Sequence, residues 1–186
     1  MSRLFPLHPP AGSRERDRRL MEMALEEARQ AAGKDEVPVG AIVVRGGHLL
    51  GRAGNQVEGL QDATAHAEIL ALTQAFASAG EKRLEGAELF CTLEPCIQCA
   101  GALLHARVAR LVFAARDPKF GGVVSLARLL ELPGLNHAIA VEEGLLAGES
   151  AALLQSFFQA RRKPGIIPGP SRRGAGAAER AGFENQ

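Results

Sequence analysis

The chain has 186 residues, 46% apolar and 23% charged, with a formal net charge of +1. These are the proportions of an ordinary globular protein, and about 150 residues suffice to bury roughly 70% of the unfolded surface without disulfide staples. The near-zero charge excludes a polycation that binds nucleic acid by bulk charge, so any such partner must be held by a local patch.

Residues 1–16 are rich in proline and charge and show no period, which predicts a flexible arm. From Arg18 to Ala32, apolar residues at Leu20, Met23, Ala24, Ala28 and Ala31 recur at helical spacing. "VPVGAIVVRGGHLLGRAGN" predicts a β-hairpin, with "AIVV" and "HLLGRA" as strands and "RGG" as the turn. "GLQDATAHAEILALTQAFASAG" predicts a helix capped by Thr64 and ending near Gly80. "AELFCTL" reads as a short buried strand. "PCIQCAGALLHAR" reads as a helix with Pro95 at the start of its first turn. "VARLVFAA" is a strand, "RDPKFGG" a loop, "SLARLLEL" a short helix, and "AIAVEE" a last strand. "LLAGESAALLQSFFQARRK" predicts a long amphipathic helix. Residues 164–186 are rich in Gly, Pro and Arg, the composition of a disordered tail. Strands alternating with helices predict an α/β layer, with helices packed on a central sheet. The domain is expected to span residues 17–163.

The three cysteines are Cys91, Cys96 and Cys99. An odd count argues against a disulfide framework. The N-terminal residues have no apolar segment of a secretory signal, and no run reaches the roughly 18 to 20 apolar residues that span a bilayer. A reducing cytoplasm is the expected compartment, where thiolates survive as metal ligands.

Cys96 and Cys99, three apart at a helix start, project from one face near the positive end of the helix dipole, which favours thiolates. His66 begins a different helix and can supply a third ligand. Two Cys and one His suit zinc, and three protein ligands leave a fourth position to water, the pattern of a catalytic rather than a closed structural site. Glu68, two residues from His66, can then take and deliver the water's proton. Each fragment alone also has a plain reading. A CxxC serves redox pairs and zinc knuckles, a lone buried His is commonly a hydrogen-bonded core residue, and an early helical Glu is commonly a surface charge favoured by the dipole. Cys91 reads as a buried small hydrophobe, His105 lies too far along its helix to join the set, and His137 lies in a loop.

His66-Ala-Glu68 and Pro95-Cys96-Ile-Gln-Cys99 match the H-x-E…P-C-x-x-C signature, and the chain resembles the zinc-dependent nucleoside deaminases. Within them it is most similar to the bacterial tRNA-specific adenosine deaminases. "EVPVGAIVV" (36–44), "DATAHAEI" (62–69), "TLEPCIQCAGALLHARV" (92–108), "FAARDPKFGGVVSL" (113–126) and "LLQSFFQARRK" carry the narrower match, over about residues 17 to 163. The resemblance implies a three-layer α/β/α cytidine-deaminase-like fold around a mixed five-stranded sheet. It also implies one Zn2+ per subunit on His66, Cys96 and Cys99, with Glu68 moving protons. The substrate implied is adenosine at the wobble position of a tRNA anticodon stem-loop, the product is inosine, and the assembly is a homodimer. Val39, Asn55 and Ala65 match pocket positions, with Asn55 bonding the flipped-out nucleoside. Asp117 and Lys119 match a loop that touches flanking nucleotides. Phe158, Arg161 and Arg162 match a final helix that approaches the stem-loop. Outside the resemblance, Arg172 and Arg173 in the tail offer charge for non-specific affinity, although such tails often do nothing. Phe120 departs from the family pattern, standing where a small or polar residue is expected. Two alternatives remain: a free-base or nucleotide deaminase acting on guanine or cytosine, and a zinc-stabilised binding module without turnover.

Overall fold

The computed structural model describes residues 14–161. Its elements, in chain order, are α1 (Arg14–Ala32), β1 (Gly40–Arg45), β2 (His48–Gly54), α2 (Val57–Leu60), α3 (Ala67–Ala79), β3 (Glu88–Leu93), α4 (Ile97–Ala106), β4 (Arg110–Ala115), a 3-10 turn (Leu129–Glu131), β5 (Ala140–Glu143) and α5 (Ala147–Arg161). The five strands form one sheet in the order β2-β1-β3-β4-β5. β1 runs antiparallel to β2 and β3, while β3, β4 and β5 are parallel, so the sheet is mixed as the family resemblance implies.

Alternation along the central strands sends side chains to two cores. Ala41, Val43, Leu89, Cys91, Leu111 and Phe113 face α3 and α4. Ile42, Val44, Phe90, Val112 and Ala114 face Leu20, Met21 and Ala24 of α1, with Leu145 and Leu146 at their edge. The result is three layers. β2 is notched at Gly51, where a Cβ would stand 2.2 Å from the Ala71 carbonyl oxygen, so the missing side chain lets α3 cross the strand closely.

Several sequence expectations need correction. α1 begins at Arg14, four residues before the expected Arg18, because Arg16 and Asp17 are buried in an ion network rather than solvated. Its inward face carries Met21, fully buried, while Met23 is only partly so. The helix expected over "SLARLLEL" is reduced to the 3-10 turn. Leu126 and Ala127 donate their backbone N–H to the Gly121 carbonyl, and Leu129 donates to that of Gly122, so these donors serve the preceding loop. α5 does form, but of its residues only Ser150 is fully buried, so it lies on the surface rather than presenting a deep apolar stripe. The short α2 has no counterpart among the expected elements. Residues 1–13 and 162–186, with the expected arm, tail, Arg162, Arg172 and Arg173, lie outside the described residues. Among the described residues, no helix is long and apolar enough to cross a membrane.

Candidate metal centre

His66 and Cys96 are the N-caps of α3 and α4, both with extended backbone. Thr64 is therefore not the cap. Its N–H and hydroxyl both donate to Asp62 Oδ1, at 2.8 and 2.7 Å, in a local turn. Pro95 likewise stands one residue before the cap rather than inside the helix. Neither N-cap side chain makes a capping hydrogen bond to a backbone N–H of its helix. A Ser, Thr, Asp or Asn in that place is worth about 1 kcal/mol. Both helices forgo that gain, and both side chains are left for other work. The two fragments are tied together by Gln98 Nε2, which donates to the Thr64 carbonyl at 3.1 Å.

The freed side chains converge. His66 Nδ1 lies 3.5 Å from Cys96 Sγ and 3.5 Å from Cys99 Sγ, and the two sulfurs are 3.7 Å apart. A tetrahedral zinc with Zn–S of about 2.3 Å and Zn–N of about 2.0 to 2.1 Å requires S···S edges of about 3.8 Å and S···N edges of about 3.6 Å. The three donor atoms are already spaced for that ion. Among the described residues no other group of His, Cys, Asp or Glu is so arranged.

The two sulfurs are in hydrogen-bond contact and influence each other. A hydrogen bond from Cys99, reinforced by His66, holds the Cys96 thiol down to about 4. That same bond, with burial and the nearby Glu68 carboxylate, pushes Cys99 up. Cys96 is thus the more acidic thiol of the pair. His66 is raised, first by its bond to Cys96 and despite partial burial. Glu68, in the first turn of α3 and 4% exposed, is raised by desolvation above the usual carboxylate range.

A cavity of about 370 Å³ opens against this cluster, lined by His66, Glu68, Cys96, Val39, Asn55 and Phe120 among others. That volume falls within the range of small-molecule sites. Its position beyond the carboxyl ends of β3 and β4 is where open α/β sheets place ligands. Asn55 is buried and its Nδ2 donates to Glu36 Oε2 at 3.1 Å. Glu36 also accepts the backbone N–H groups of Glu58 and Gly59, at 3.2 and 2.7 Å, and so anchors the start of α2.

The other expected contacts divide. Asp117 lines the cavity, and its Oδ1 accepts the N–H groups of Lys119 and Phe120 at 2.9 and 3.2 Å, which shapes its own loop. Phe120 is 66% exposed at the cavity, available rather than packed into the core. Ala65 is buried beside His66 but lies outside the cavity lining. Lys119, Phe158 and Arg161 line a second groove of about 500 Å³ between the loop and α5. There Arg161 donates to the Asp35 carboxylate at 2.9 Å and stacks 4.0 Å over the Phe157 ring. Cys91 is fully buried in the core, His105 is exposed at the far end of α4, and His137 Nε2 donates to the Val108 carbonyl at 2.7 Å.

Sequence reasoning missed two buried acids, Glu36 and Glu94, each 2% exposed. The available signal was position: Glu94 directly follows the apolar strand "LFCTL", and Glu36 directly precedes "VPVGAIVV".

The MafB19-like deaminase family model matches residues 15–162. The tRNA-specific adenosine deaminases of Agrobacterium fabrum and Aquifex aeolicus are each 47% identical over 142 residues, 76% of this chain and 93% of theirs. A structure from studies of A-to-I editing by tRNA:A34 deaminases at the wobble position of transfer RNA aligns with TM-score 0.71 at 47% identity, over 73% of this chain and 99% of that one. A guanine deaminase from Nitrosomonas europaea aligns with TM-score 0.66 at 27% identity, over 84% of this chain and 97% of that one. The chain belongs to the MafB19-like deaminases, alongside the tRNA-specific adenosine deaminases.

Proposed function

We propose that this protein hydrolyses adenosine to inosine at wobble position 34 of tRNA, releasing ammonia, with one Zn2+ held by His66 Nδ1, Cys96 Sγ and Cys99 Sγ. The observation that carries the chemistry is the donor triangle, with edges of 3.5, 3.5 and 3.7 Å, beside the buried Glu68 in one cavity. The substrate class rests on the relatives that match at 47% identity over 93% of their length.

Zinc supplies Lewis acidity, so that water beside it ionises near pH 7 rather than near 15.7. Glu68 lies in the same cavity and accepts the proton that water gives up. It then returns protons to the purine ring and to the departing amino nitrogen. Oxygen bonds to C6, the C6–N bond breaks, and the nitrogen leaves as ammonia. Val39 and Asn55 flank the base. A stacked base cannot enter such a cavity, so an anticodon-loop nucleotide that is cheap to extrude fits it best. Lys119, Phe158, Arg161 and Arg162 extend the reading to the flanking RNA, with cations for phosphate and phenyl faces for bases. The same reading carries a homodimer and a cytoplasmic location.

The test supplies an anticodon stem-loop with adenosine at position 34 alongside free guanine, cytosine and adenine. Inosine at that position, with one ammonia per turnover, is expected. Ammonia from a free base with none from the RNA would replace this reading with a free-base deaminase.

A further inference from the structure

We propose that Glu94 is a positioning residue whose buried carboxylate holds segment 117–125 over the cavity, so that Asp117 and Phe120 meet the substrate in one fixed arrangement. Its substrate arm rests on the deaminase reading; its conformational arm does not.

Glu94 is no part of the donor triangle, yet its side chain is enclosed and reaches the same cavity. Five donors converge on it. Oε1 accepts the backbone N–H groups of Val123, Val124 and Ser125 at 3.2, 2.7 and 2.9 Å. Oε2 accepts the backbone N–H of Asp117 at 3.0 Å and the Ser125 hydroxyl. All five come from one loop and all are uncharged. Bonds of this kind, made to an ionised acceptor, are stronger than neutral ones and costly to leave unmade.

Sterics point the same way. A Cβ on Gly121 would stand 2.3 Å from the Glu94 carboxyl carbon, so loop and carboxylate fit face to face only with glycine there. The loop is fixed on its other side as well. Gly122 N–H donates to the Pro95 carbonyl at 2.8 Å, and Gly121 bridges Cys96. The residue that precedes the Pro-Cys-x-x-Cys helix therefore sets the height of the opposite wall, and Asp117 and Phe120 ride on that wall.

Glu94→Gln is nearly isosteric but brings a donor among donors. The Ser125 hydroxyl can turn and accept from the new amide, whereas the Asp117 N–H has no such freedom. The variant should retain one zinc per chain. Hydrogen exchange should accelerate at Asp117 and Val123–Ser125 by about tenfold or more, with α3 unchanged. KM for the stem-loop should rise about 10- to 100-fold while kcat stays within about threefold. Gly121→Ala attacks the same contact from the loop side and should give the same KM shift with full zinc. It also decides the matter if the Gln variant does not fold. Unchanged exchange at 117–125 overturns the anchor. Faster exchange with unchanged KM overturns its role in positioning substrate. If the wild type leaves the RNA untouched, the function reading fails instead, and exchange still judges the anchor.

Discussion

At the start of the parallel strands, Glu88 on β3 pairs in register with Arg110 on β4, and at the far end Glu94 sits just past β3. Both acids are largely enclosed, and the molecule treats them differently. Glu88 is held between guanidinium groups, with Arg16 at 2.6 Å and Arg110 at 2.7 Å, while Arg110 also grips Asp17 and Glu142 at 2.6 and 2.7 Å. Glu94 is held by loop N–H groups and a hydroxyl. Full charges fasten α1 to the sheet at one end. Oriented dipoles shape a cavity wall at the other, where a nearby positive charge would compete with a metal for its ligands. One end of the strands is built for stability and the other for chemistry.

Breaking the chemical end at the proposed proton carrier, Glu68, should have the largest effect. Glu68→Ala is expected to lose about 100- to 10,000-fold in kcat, while metal analysis still finds one zinc and the melting temperature is maintained. An unchanged kcat in that variant would remove Glu68 from the proton transfer. His66→Ala should lose the metal itself, and a full zinc complement would overturn its place among the ligands.

The other end should respond in the opposite sense. Glu88→Gln leaves Arg16 and Arg110 short of a buried counter-charge, a loss of about 3 to 5 kcal/mol. For a domain of this size that is a fall in melting temperature of about 6 to 20 °C, with kcat at 25 °C unchanged. The pH dependence sharpens the contrast. Burial pushes the Glu88 carboxyl up, but the bonds from Arg16 and Arg110 outweigh it and hold it below its usual range. Its contribution is therefore present above the unfolded value of about 4.3 and disappears as pH falls through the lower folded value. The stability gap between wild type and variant should be constant above about pH 5 and close as pH drops below about 4. A gap that widens in acid would refute the network's role.

The smallest effect is expected where the cavity meets its surroundings. Lys119→Ala, in the groove beside α5, should reduce the slope of log affinity for the stem-loop against log salt by about 0.7 to 0.9. An unchanged slope would remove Lys119 from the RNA contacts.

How much of this was legible depended on whether each signal was local. His66 and Glu68 share one helix start, and Cys96 and Cys99 another, so their spacing alone brought out the chemistry. The strand runs "AIVV", "LFCTL" and "LVFAA" announced themselves by continuous apolar character, as strands covered on both faces do. Glu36 and Glu94 were illegible because their meaning lies with partners 19 to 31 residues away. The start of α1 was misplaced for the same reason. "RERDRR" looks like a solvated charge run until β3 and β4 bring Glu88 and Arg110 against it. The helix expected at "SLARLLEL" had good propensity, but the loop's carbonyls claimed its donors first.

The exposed strand β5 has a consequence for colloidal behaviour. Its four residues are open to solvent at the margin of the sheet, where unpaired backbone groups invite a foreign strand. Glu142 and Glu143 occupy half of it, and each is bound back to an arginine of its own chain. An incoming strand would have to dehydrate both ion pairs, so this margin resists fibrous stacking. Any symmetrical pairing of two copies should therefore use another surface.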